Sequence, residues 1–244
     1  MFFFRLLVSI LLPASAFALY NGNPSNTLLP EKNFFFPDIL PISLKFGFQY
    51  NDVWNRKLKG AKQFRIQDQL GTITVDLIDR LEVYAALGIT KMDWKVKSSG
   101  KEERFSAHHR FAWEIGGRVL FASYGRLDFG IDAEAYFVHP HTVLEKIPFI
   151  GTLISQSTTS SLHYNEWQVG AGFSYRLPLL IPYIGVKYAR AHAAMRDPIQ
   201  NLKSRKFPGL FLGMALAPPL SFAVNVEARF FDETAMTAAV EVKF

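Results

Sequence analysis

From residue 42 to the last residue, 244, the chain repeats short segments in which every second side chain is apolar. In 42–50, Ile42, Leu44, Phe46, Phe48 and Tyr50 are apolar or aromatic, and Ser43, Lys45, Gly47 and Gln49 between them are polar or small. Strand side chains alternate faces, so such a segment has one greasy wall and one polar wall. The pattern recurs over 81–90, 111–121, 127–137, 167–177, 222–230 and 236–244, and more weakly near 65–77, 182–191 and 207–217. Ten strands are expected. Their connections alternate between short ones (78–80, 123–126, 178–180, 218–219) and longer ones (55–64, 97–106, 140–161, 192–206). That alternation fits an all-β, antiparallel up-and-down transmembrane β-barrel with tight periplasmic turns at one end and longer external loops at the other. An even strand number puts both ends of the barrel chain on the periplasmic side. The apolar stretch within 142–155 (Ile147, Pro148, Phe149, Ile150, Leu153, Ile154) is unusual for an external loop. It either folds into the mouth, packs on a partner, or forms an extra hairpin that makes twelve strands.

Composition supports a barrel over a helical membrane protein. Hydrophobic residues reach 49%, yet 20% are charged, as expected of a wall that is apolar outside and polar inside. The 23 Phe fit lipid-facing positions and interfacial girdles. With no cysteine, disulfide and thiolate chemistry are excluded. The net charge of +6 comes without a basic helix, a stacking platform or zinc spacing, so nucleic acid is not an expected partner.

Residues 1–18 (MFFFRLLVSILLPASAFA) place Arg5 before the apolar run 6–12, a break at Pro13, and small residues at Ala16 and Ala18. They read as a secretory signal peptide cut after Ala18. The run is too short to cross about 30 Å of hydrocarbon. Residues 19–41 are expected as a periplasmic N-terminal segment and 42–244 as the barrel. The location expected is a bacterial outer membrane. Likeness to outer-membrane proteins in general implies that a last strand ending on Phe244 is read by barrel-insertion machinery.

Parity assigns the charged residues of the polar wall. Lys45, Asp76, Glu82, Glu114, Arg118, Asp128, Asp132, Glu134, Glu166, Arg176, Lys187, Glu227 and Arg229 are the expected pore-lining set, with Glu241 and Lys243 beside them. Facing lipid at the midplane, each would cost roughly 2–4 kcal/mol. Their acidic excess predicts a hydrated path with a mild cation preference. Against that, about eight strands give an interior that side chains just fill, and ten stands near that limit. Inward Gly47, Gly88, Gly116, Gly130, Gly170, Gly172 and Gly185 are expected to favour an opening.

All six histidines (His108, His109, His139, His141, His163, His192) fall at the external end, where a metal or pH-gated rim site is one reading and ordinary polar rim the other. Asp93 and Glu103 lie in a neighbouring loop, but no acidic pair flanks the histidines as in ten-stranded outer-membrane proteases. Nucleophile elbows, phosphate loops and metal-helix motifs are absent, and neither an enzyme nor a cofactor is expected. Basic loop residues (Arg56, Lys57, Lys59, Lys62; Lys95, Lys97, Lys101, Arg104; Arg196, Lys203, Arg205, Lys206) are expected to meet lipopolysaccharide phosphates, host polyanions or anionic solutes.

Several stretches resemble one family, the chlamydial major outer membrane porins. These are LYNGNP (19–24), ISLKFGFQYNDVWNRKLK (42–59), IDRLEVYAALGIT (78–90), YNEWQVGAGFSYRLPLLIPYIGVKYARA (164–191), LKSRK (202–206) and VEARFFDETAMTAAVEVKF (226–244). The resemblance implies a porin: passive diffusion of small solutes or ions, a place as a major surface component, and compatibility with a homo-oligomer. The chain is shorter than the family, with its long variable loops missing, which implies a smaller barrel, and it lacks the cysteines by which the family cross-links the envelope. The alternative function is a non-conducting structural or adhesive surface barrel.

Overall fold

The computed structural model describes residues 22–24, 42–77, 80–98, 101–140, 143–149, 152–158, 161–195, 200–204, 208–216 and 222–244. Fourteen strands are present: β1 (Ile42–Arg56), β2 (Leu58–Lys59), β3 (Ala61–Leu77), β4 (Leu81–Ser98), β5 (Lys101–Tyr124), β6 (Leu127–Val138), β7 (Val143–Phe149), β8 (Thr152–Thr158), β9 (Leu162–Tyr175), β10 (Leu180–Met195), β11 (Gln200–Ser204), β12 (Pro208–Leu216), β13 (Phe222–Phe230) and β14 (Glu233–Lys243). Ten of them, β1, β3, β4, β5, β6, β9, β10, β12, β13 and β14, pair antiparallel with their neighbours in chain order. The ring closes where β14 meets β1, with Lys45 opposite Lys243 and Tyr50 opposite Ala238. Closure leaves these ten without a free edge, which a sheet surrounded by lipid requires.

The alternating sequence explains the wall. Phe48, Leu87, Ile115, Phe173 and Val186 project outward and are each at least half exposed, while their chain neighbours are inward. A row of this kind stays out of water only when lipid covers it. Aromatic pairs reinforce the outer face where strands meet: Trp113 stacks on Phe137 at 4.2 Å, and Phe129 lies 4.9 Å from Phe173. Gly125 and Gly60 have positive φ, 59° and 93°, and turn the chain at opposite ends of the barrel, the ends expected to be periplasmic and external and named accordingly.

The external end departs from the expectation of loops. β1 and β3 run to within a few residues of each other, and β4 and β5 run through most of 97–106. The stretch expected as an unusual loop at 142–155 forms the hairpin β7–β8, which pairs with β5 through Arg104 opposite Lys146. It is an extra hairpin, but it stands off the ring, so the barrel keeps ten strands. β11 pairs on one side with β10 and on the other with β2. It thereby bridges the external end above the short strands β12, β13 and β14. The signal segment 1–18 and most of 19–41 lie outside the described residues.

Candidate functional site: the barrel lumen

Lys45 and Glu82 come from the inner faces of β1 and β4 and have no exposed surface. Lys45 pairs with Glu82 and, at 3.0 Å, with Asp76 of β3. Arg118 of β5 reaches the second oxygen of Glu82 at 2.6 Å, Lys243 lies 3.6 Å from Asp76, and the Ser43 hydroxyl donates to Asp76 at 3.0 Å. Six strand-borne side chains thus knit the periplasmic half of the lumen.

Midway, carboxylates predominate. The Tyr84 hydroxyl donates to Glu134 at 2.6 Å, Gln49 donates to Glu114 at 3.0 Å, and Tyr136 donates to Asp68 at 2.6 Å. Arg118 lies over the Tyr84 ring, 5.9 Å from its centroid. Above this level sits a second ionic cluster. Arg56 holds Asp232 at 2.8 Å, Glu233 at 2.9 Å, and Glu166. Lys187 also pairs with Glu233, and Arg229 lies 3.1 Å from Glu227.

At the external end the lining becomes apolar. Phe64, Trp94, Phe105 and Tyr164 stack inside the barrel, with Phe64 5.8 Å from Trp94 and 5.5 Å from Tyr164, and Trp94 5.6 Å from Phe105. Leu58, Met92, Leu162, Met195 and Leu202 pack around them. Leu202 belongs to β11, so the bridging strand contributes to the apolar core it covers.

Along this length the inward charged side chains of the described strands are buried. At several of the inward glycines expected to favour an opening, neighbours use the space the glycine leaves. A side chain at Gly116 would meet the Tyr84 ring, one at Gly185 would meet Phe211, and one at Gly213 would meet the Tyr183 ring. At Gly130 the occupant is Pro24, whose Cβ would stand 2.9 Å from an added methyl. Gly22–Pro24 therefore lies inside the barrel, and the Gly22 amide donates to Glu227 at 3.1 Å. A cavity of about 10 Å³ lies beside it.

Twelve of the thirteen residues assigned to the polar wall are buried on the inner face. Arg176 sits at the periplasmic rim, partly exposed, 2.8 Å from Asp128. The structure brings Lys45, Asp76, Glu82 and Arg118 into one cluster and Glu166, Lys187, Glu227 and Arg229 into or beside another. Parity missed Arg56, expected in an external loop. A β-bulge between Val53 and Asn55 shifts the register of β1 and swings Arg56 inward. Glu233 and Asp68 were also missed, although counting back in twos from Lys243, and from Asp76, reaches both.

Among the described residues the histidines form no single cluster. His139 and His163 meet ring to ring at 5.0 Å, His192 contacts the Asn201 amide oxygen at 2.7 Å, and His109 sits at a β5 irregularity with φ of 50°. His141 and the side chain of His108 lie outside the described residues. Among the described residues no three histidine, cysteine or carboxylate groups meet in a metal-holding arrangement. Asp93 pairs with Lys91 at 3.7 Å.

Comparison with known proteins gives a consistent set of likenesses. Residues 148–200 match the sequence model of the family described as Chlamydia major outer membrane protein. A major outer membrane porin of Chlamydia pneumoniae is 52% identical over 193 residues, covering 58% of this chain and 48% of the relative. A major outer membrane porin of Chlamydia psittaci is 52% identical over 139 residues, covering 38% of this chain and 36% of the relative. The chain spans about half the length of the first of these relatives. Among solved structures, an outer membrane channel from Pseudomonas putida F1 is 7% identical with a TM-score of 0.47, covering 88% of this chain and 100% of the other.

Proposed function

We propose that this chain is an outer-membrane barrel of the porin kind, a passive path for small solutes or ions with a preference for cations, held shut at rest by its own lumen. The observation that carries the reading is the charge balance of the interior. Among the described residues, twelve carboxylates are buried inside the barrel against six basic side chains, Asp52 being the outer-wall partner of Arg65. A barrel with only a structural task gains nothing from an acidic excess, because buried charge without a partner is strongly destabilising. Water and cations entering the lumen would relieve it. The likeness to porins supports the same reading.

Two barriers stand in the path, and they differ in kind. Ionic clusters exchange pairing for hydration at little net cost, since the attraction of a buried pair is largely offset by its lost solvation. The aromatic stack has no such compensation. Moving one ring of it into water costs roughly 1.5–3 kcal/mol, on the order of ten- to a hundredfold in population. The external stack is therefore the gate and the acid-rich interior the selectivity element.

No catalytic role is part of this reading. Phe244, which extends the lipid-facing row of β14 and packs 5.7 Å from Phe46, is the residue proposed to be read during insertion. The second reading, a non-conducting surface barrel, draws support from the complete burial of Lys45, Glu82, Glu227 and Arg229. Planar-bilayer recording separates the two. Discrete steps with a cation-selective reversal potential in a salt gradient are expected; silence at high protein load would leave the structural reading.

A further inference from the structure

The outer wall at the external end is electrostatically lopsided. On the β1–β3–β4 side each outward cation at the membrane border has a carboxylate: Arg65 lies 2.9 Å from Asp52 and Lys91 lies 3.7 Å from Asp93. On the opposite side, β6, β9, β10 and β11 present Arg190, Lys203, His163, His192 and His139, and among the described residues no carboxylate pairs with Arg190 or Lys203. The acids of β6 and β9, from Asp128 to Glu166, all point into the lumen.

Register gathers these groups. His192 stands opposite Lys203 across the β10–β11 pair, so their side chains are neighbours. Arg190 is two residues along the same face of β10 and stands opposite Trp167. Trp167 lies 5.8 Å from Tyr188, and with Phe137 it forms the aromatic border expected where hydrocarbon meets headgroups. Phe137, Trp167, Arg190, His192 and Glu166, whose carboxylate is turned inward to Arg56, are among the residues lining an outward cleft of about 350 Å³. Cations sit above an apolar floor, which is the arrangement a phosphorylated acyl lipid matches.

We propose that this cleft docks a phosphorylated glycolipid of the outer leaflet, with its phosphate on Arg190, Lys203 and His192 and an acyl chain along Trp167 and Phe137. The inference rests on the proposed outer-membrane barrel, with the end expected to be external turned outward. A phosphate there receives charge-assisted donors at the edge of a low-dielectric medium, where such bonds are strong.

The test uses the full protein in phosphatidylcholine nanodiscs doped with bisphosphorylated lipid A, with retained lipid A per barrel counted by native mass spectrometry. Wild type is expected to retain lipid A, Arg190→Ala/Lys203→Ala to bind at least tenfold more weakly, and the charge-conserving Arg190→Lys/Lys203→Arg to stay near wild type. Lipid A stripped of its phosphates is expected to bind no better than phosphatidylcholine. Equal retention by wild type and the double alanine variant, or by phosphorylated and stripped lipid, would overturn the proposal. Conductance of the same preparations reports separately on the porin reading: a silent barrel that still binds lipid A through Arg190 and Lys203 refutes the channel and leaves the site.

Discussion

Glu82 shows what the interior asks of a single residue. Its two oxygens serve two cations, Lys45 and Arg118, which are themselves almost wholly buried. Glu82→Ala takes their shared partner from both cations, with Asp76 still beside Lys45, and removing one partner of a buried pair typically costs about 3–5 kcal/mol. A loss of that size is expected in urea unfolding of the detergent-solubilised barrel, and a loss below about 1 kcal/mol would mean that the cluster is already hydrated. Glu102 is the counterpart above the membrane. It accepts from Lys62 at 2.8 Å and lies 3.9 Å from Lys95 and 3.3 Å from Arg104. The Lys62 hydrogen bond, aided by these charges, holds its carboxyl below the ordinary range. Its tie between β3, β4 and β5 is therefore complete above the ordinary carboxylate pKa and lost as pH falls through the lowered one. Hydrogen exchange in the β4–β5 tip is expected to quicken on acidification, and Glu102→Gln to remove that pH dependence.

At the scale of elements, alternation carried the reading far. Residues such as Lys45, Glu82 and Glu134 were placed on the inner wall by parity alone, because strand side chains have a strict period of two. Parity fails where the period slips. The bulge near Val53 turned Arg56 from an expected loop cation into the centre of an ionic cluster. A bulge depends on how two strands share their hydrogen bonds, which no local pattern records. The long connections were misjudged for a related reason: the polar residues of 97–106 signal departure from lipid, not the end of pairing. The placing of Gly22–Pro24 in the lumen was equally invisible, since it depends on the notch at Gly130. This short element gives a prediction of its own. In a Trp94→Ala background, deletion of residues 19–24 is expected to raise unit conductance by freeing the space beside Gly130 and Glu227. An unchanged conductance would show that the segment does not obstruct the path.

At the scale of the whole molecule, the ring of ten strands was legible and its contents were not. Strand number sets the width of the lumen, but whether it stands open depends on which neighbour fills each glycine notch. Here Tyr84, Tyr183 and Phe211 lie across facing glycines, and the aromatic stack closes the external end. The resulting barrel has an acid-rich polar interior under an apolar lid. On the proposed function, the lid rather than the ionic clusters keeps a cation path shut. Single-channel recording of wild type beside Trp94→Ala tests it most directly. Wild type is expected to show rare, brief cation-selective openings and the variant at least tenfold greater open probability with unchanged ion preference; silence from both at high protein load would refute the gate.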